Sequence, residues 1–183
     1  MKRLLSFSIF LVIAITVWWS TTENLDDNKA QQKTGKHYIE IYMNEFALTA
    51  MDENGKPGYT LSGSYLEKFN DSEDTEIRQP VFHLLQQGKQ WKISAESAIL
   101  NDKHETIQLT DNVIMQQQNI EPAATIRTQS LLIHTKSQIA QTRAPVEITR
   151  GRSSMKSTGM VYNNLTSELD LSADVNGYYL PDE

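Results

Sequence analysis

Three observations predict an all-β domain of stacked antiparallel repeats behind a single N-terminal membrane helix. The first is a period of two: Trp91, Ile93 and Ala95 alternate with Lys92, Ser94 and Glu96, the signature of a half-buried strand. The second is a recurring interval. Eighteen residues separate Gly63 from Val81, Ala95 from Val113, Thr128 from Val146 and Ser157 from Val175. A turn former precedes each closing valine (Pro80, Asn112, Pro145, Asp174), and the four units start 32, 33 and 29 residues apart. Apolar residues recur beside the opening positions: Leu61 and Leu66, Ile126 and Leu131, Met155 and Met160. Four copies of one unit, each burying what its neighbour exposes, account for this spacing. The third is that no stretch from residue 37 onward reads as a long amphipathic helix.

The chain opens with Lys2 and Arg3, then runs nineteen residues from Leu4 to Thr22 without a charge. Such a helix is roughly 30 Å long and crosses a bilayer. The cationic start holds the N-terminus in the cytoplasm, and Trp18 and Trp19 suit the outer interface. A cleaved signal peptide shares the positive start and apolar run. Against cleavage, the run is long, ends in two tryptophans and lacks an adjacent small-x-small site. Residues 1–22 therefore read as an anchor. Residues 23–37, polar and aperiodic, read as a flexible tether, and residues 38–183 as the β-domain, outside the cytoplasm.

Within the domain, Tyr38, Glu40 and Tyr42 alternate with Ile39, Ile41 and Met43, and Phe46, Leu48 and Ala50 continue the pattern. Asp52–Gly58 is a turn, after which Tyr59, Leu61 and Gly63 resume the sheet. Asn70–Asp74 is a charged loop and Asn101–His104 a polar turn. Asp111-Asn112 is expected to turn the chain into Val113-Ile114-Met115, Gly151–Ser154 to form a loop, and Asn176-Gly177 to make a last turn. Gly151 is expected to serve structure, through a positive φ or a close backbone approach.

Little catalytic chemistry is visible. A net charge of −6 argues against nucleic acid, because phosphate binding needs a basic face. The chain has no cysteine, which removes disulfides, thiolate metal sites and a thiol nucleophile. His37, His83, His104 and His134 share no ligand-like spacing. Asp52-x-Asn54-Gly55 lacks the later carboxylates of a calcium loop, and Ser153-Ser154-Met155-Lys156 has the Ser-x-x-Lys spacing without a second motif. No metal, cofactor or enzymatic activity is expected. A hydrolase of envelope glycans would need convergent carboxylates about 5–10 Å apart, and no pair presents itself.

If the units stack in one direction, alternate side chains form a continuous lining: Phe46, Leu48, Tyr59, Leu61, Trp91, Ile93 and Ile126. These residues can pack against one another as a closed core. They can also stay partly open as a groove for acyl chains, where each buried CH₂ is worth about 0.8 kcal/mol.

The turn and strand Asp52–Leu61, the step Gln79-Pro80-Val81, Trp91-x-Ile93-x-Ala95-x-x-Ala98, Leu109-Thr110-Asp111-Asn112-Val113, and Gly151 ahead of the final repeat occur in this order behind one anchor. In that arrangement the chain resembles the LptC family, bitopic inner-membrane components of the lipopolysaccharide transport machine of Gram-negative bacteria. The resemblance implies an antiparallel β-jellyroll, a twisted-boat (OstA-like) domain of many short strands, in the periplasm. It implies lipopolysaccharide as cargo, the ABC transporter complex of LptB, LptF and LptG as one partner, and the soluble bridge protein LptA as the other. It places Phe46 and Ala47 near the entrance strand and Ile77 on an inward, lipid-contacting position. The C-terminal strands, about residues 167–179, become the edge offered to the bridge protein through Leu169, Leu171, Val175 and Tyr179. Gly151 matches a recurring glycine of the family. The chain has no ATP site, so energy would come from the transporter. The alternative is an anchored adaptor whose closed β core only binds proteins.

Overall fold

A computed structural model describes residues 37–51, 55–86 and 89–180. The expected anchor, the tether up to residue 36 and the Asp52-x-Asn54 turn lie outside the described residues. Eleven strands form one antiparallel sheet: β1 (Ile39–Met51), β2 (Pro57–Phe69), β3 (Asp74–Arg78), β4 (Val81–Gln86), β5 (Lys89–Ser94), β6 (Ser97–Asn101), β7 (Thr106–Gln118), β8 (Ala124–His134), β9 (Ile139–Arg150), β10 (Ser153–Asn163) and β11 (Glu168–Tyr178). No described residue is helical.

Seven of these strands are long, with 11 to 13 residues each, against the expectation of many short ones. The reason is a crease. Each long strand continues straight through a point where its register with the neighbour slips: between Thr110 and Val113 on β7, between Thr128 and Leu132 on β8, and between Lys156 and Thr158 on β10. Extra residues on one strand of a pair bend it and sharpen its twist. The short strands obey the same crease. β3 and β4 are the two halves of one layer interrupted at Gln79-Pro80, and β6 and β5 are the halves of the next, interrupted at Ala95-Glu96. The interruption keeps its own hydrogen bonds: Gln79 N–H donates to Glu96 O at 2.8 Å, and Glu96 N–H to Asp111 O at 3.0 Å.

The eighteen-residue interval is this crease seen in sequence. Thr128 pairs with Val146, and Val146 pairs with Ser157. The interval therefore runs from the crease on one strand, around a hairpin, and back to the crease on the next. At three of the four bends the backbone turns left-handed, with φ of 50° at Gln79, 64° at Asp111, 51° at Asn112 and 52° at Asp174, whereas Pro80 and Pro145 break the ladder by lacking an N–H. Asn and Asp tolerate that region better than most side chains. Asp111-Asn112 and Pro145 thus kink β7 and β9 rather than ending strands. Asn176-Gly177 is not a turn either, since it pairs with Lys156 and Met155 within β11. Glycine there permits the pairing, because a Cβ on Gly177 would stand 2.8 Å from Met155 Cα. Only Gly151-Arg152 joins β9 to β10, and Ser153-Ser154 already belongs to β10.

The crease divides the sheet into two halves whose inner faces meet. Trp91, on one side of the crease, donates from Nε1 to Tyr162 Oη on the other at 2.7 Å, and the rings lie edge-on with centroids 5.3 Å apart. Both side chains are buried, so the hydrogen bond satisfies two polar groups inside an apolar interior. At the domain's start, His37 stacks on Phe69 at 4.2 Å and its Nδ1 lies 2.9 Å from Asp71 Oδ1. His37, read from sequence as the last tether residue, is held by the sheet.

Candidate functional site: an apolar interior between two open edges

Strand pairing lines up one inward residue from each layer. Leu48 pairs with Leu61, Leu61 with Phe82, Phe82 with Ile93, and Ile93 with Met115. Met115 pairs with Ile126, Ile126 with Ile148, Ile148 with Met155, and Met155 with Gly177. The result is a single unbroken row from β1 to β11. With strands about 4.8 Å apart, eight steps make it about 38 Å long. On the other side of the crease, a second row runs Met43, Leu66, Ile77, Ala98 and Leu109 by the same pairing.

The middle of these rows is filled by the protein's own side chains. Leu61, Ile77, Phe82, Ile93, Met115 and Ile126 are between 0% and 2% exposed. Of the lining residues expected from sequence, Phe46, Leu61, Ile77, Trp91, Ile93 and Ile126 are buried, whereas Leu48 and Tyr59 pack half-buried against that core. Tyr59 packs on Phe82 with centroids 4.7 Å apart and ring planes tilted by 36°. Its phenol is pushed above the usual tyrosine range by burial and, secondarily, by the charge of Asp102. Phe46 covers Gly63, where a Cβ would stand 2.9 Å from the Phe46 ring and equally close to Arg78 O. Glycine is thus required there by close approach.

Toward both ends of the sheet the rows come out of cover. β1 pairs only with β2, and β11 only with β10, which leaves two edges whose outer N–H and C=O groups have no strand partner among the described residues. At the first edge Ile41 and Met43 are exposed, and at the other Leu169 and Val175 are. Leu171, packed against the core, and Tyr179, exposed just beyond β11, complete the four residues expected at that edge. Gly151 stands apart from both rows, in the β9–β10 turn at φ 55°.

Sequence reading missed Phe82, Met115, Ile148 and Met155 as members of the row. For Met115, Ile148 and Met155 the signal was present in the eighteen-residue interval, whereas Phe82, one residue after Val81, falls outside that rule. Leu61, Ile93, Ile126 and Met155 stand two residues before the opening position of a unit, and Met115, Ile148 and Gly177 two residues after a closing valine.

A family model for lipopolysaccharide-assembly, LptC-related proteins matches residues 8–180. The chain belongs to the LptC-related family. Membership carries involvement in lipopolysaccharide transport, as a transport component and with lipopolysaccharide-transport partners. The all-β sheet agrees with the family's β-jellyroll. No curated protein matches the chain. Among the described residues no three His, Asp or Glu side chains converge as metal ligands would.

Proposed function

We propose that this chain is a non-enzymatic carrier in lipopolysaccharide export. Residues 1–22 would anchor it in the inner membrane with the N-terminus in the cytoplasm and the β-domain in the periplasm. The domain would receive lipopolysaccharide from the ABC transporter of LptB, LptF and LptG beside β1, and pass it to the bridge protein LptA beside β11. The observation that carries this reading is the continuous apolar row that emerges at two open sheet edges. A partner strand added to either edge would extend the row into the partner. A carrier of acyl chains needs such continuity, because every interruption exposes hydrocarbon to water at about 25 cal/mol per Å².

One observation favours a second reading. The centre of the interior is filled, as in an adaptor with a closed β core. Under the carrier reading the two half-sheets separate while lipid passes, and the Trp91–Tyr162 hydrogen bond breaks. A photoreactive residue at position 77, introduced into the full chain in cells, distinguishes the two. The expected result is an adduct with lipopolysaccharide that depends on ATP hydrolysis by the transporter. Absence of an adduct at 77 and at 46, with the complex assembled, would leave the adaptor.

A further inference from the structure

The outer face of the sheet carries a polar cleft that the interior rows do not use. Strand pairing lines up Gln108, Leu132, Gln141 and Val161 across β7 to β10, so amide and aliphatic side chains alternate along about 14 Å. Each adjoins a buried residue of its own strand, respectively Ile107, Ile133, Ala140 and Met160, so the four point away from the interior. With Ser130, Arg143 and Ser172 they line a concavity of about 420 Å³, and clefts that hold small ligands have volumes of about 300–1,000 Å³. Gly159, at φ 82°, makes room for one wall: a Cβ there would stand 3.1 Å from Ser172 Oγ and 3.2 Å from Thr142 O.

The cleft carries charge of one sign. No carboxylate lines it, although the chain has 23 acidic residues against 17 basic ones. Arg143 is exposed, and its guanidinium has no ion-pair or hydrogen-bond partner among the described residues. Asp170, opposite Val161 on β11, is the next residue along the row and lies beyond the lining. Gln108 Nε2 donates to Leu109 O at 3.1 Å, and Gln141 Nε2 lies 3.1 Å from His134 Nε2, which leaves both amide oxygens as acceptors.

We propose that this cleft binds an acidic sugar, with the phosphate or carboxylate on Arg143. Three features select this ligand. A guanidinium without a partner offers a fork of donors that matches such an anion. The two amide oxygens and the two serine hydroxyls suit the hydroxyls of a sugar. Leu132 and Val161, set between the amides, give the C–H face of the ring an apolar floor. The site lies on the opposite face of the sheet from the apolar rows. It therefore goes beyond the carrier reading and stands whether or not hydrocarbon enters the interior. Two glycans carry this chemistry, the saccharide of lipopolysaccharide and the acidic glycan of the cell wall.

The test is calorimetric titration of the full chain, in micelles of a detergent without a sugar headgroup, with deacylated lipopolysaccharide and with a soluble muropeptide. The expected result is saturable binding of at least one probe; whichever binds identifies the source. Arg143→Gln should weaken that binding about tenfold, equivalent to 1.4 kcal/mol, with the circular dichroism spectrum retained. Gln141→Leu, which keeps the charge and removes one amide, should weaken it as well. Arg127→Gln, which removes an exposed guanidinium outside the cleft, should leave it unchanged. Binding of neither probe to folded protein would overturn the site. So would equal losses from Arg143→Gln and Arg127→Gln, which would reduce the effect to general charge attraction. Neither failure touches the adduct at position 77, which tests the carrier reading alone.

Discussion

Val146 and Val175 close two successive copies of the same interval, yet Val146 is 3% exposed and Val175 53%. Both follow a turn former at the crease. Val146 lies between two strands, opposite Thr128 and Ser157. Val175 lies on β11, which has a neighbour on one side only. The difference comes from position in the stack and not from local sequence. An inner layer has its apolar face covered by its neighbours, and a terminal layer offers that face to whatever docks on the edge.

The largest effect should come from placing one substitution at both positions. Val146→Asp puts an unpaired carboxylate in the interior and should cost at least about 3 kcal/mol of unfolding free energy. Val175→Asp should change it by less than about 0.5 kcal/mol and instead abolish capture of the bridge protein. Denaturant titration and pull-down of the two variants check this pair. Equal destabilisation would mean that β11 is as well covered as β9. A smaller effect is expected at the clasp between the half-sheets. Tyr162→Phe leaves the buried Trp91 N–H without an acceptor and should cost about 1–3 kcal/mol, read from the urea midpoint. Combined with Trp91→Phe, which has its own cost in buried volume, the loss should fall short of the sum of the two single losses, since the two groups share one interaction.

The smallest effect belongs to the start of β1. The hydrogen bond from His37 holds the Asp71 carboxyl below its usual range. A carboxyl depressed in the folded state stabilises above its unfolded pKa of 3.8, and that stabilisation is lost as pH falls through the depressed value. Asp71→Asn should therefore lower the melting temperature slightly at pH 7 and by less at pH 3, below the unfolded value of 3.8. A difference of the same size at both pH values would assign the effect to packing on Phe69 rather than to the charge.

Much of this architecture was legible in the residues. The alternation of Trp91, Ile93 and Ala95 marks a strand, and the ruler from Gly63 to Val175 marks every bend. The meaning of the turn formers was not legible. Asn112 and Pro145 look the same in sequence whether they end a strand or kink one; pairing across the bend, as between Thr110 and Ser130 and then Val113 and Thr128, decides it. Nor could sequence separate core from groove, because Ile93 and Met155 have the same alternation and only one is covered.

The sequence by itself determined the β class, the repeat and the positions of the turn formers, because side-chain period and turn propensity are local properties of the chain. Tertiary structure decided which apolar residues are filled core and which stand open at an edge. That depends on how many layers flank each strand, and no window of residues records its place in the stack.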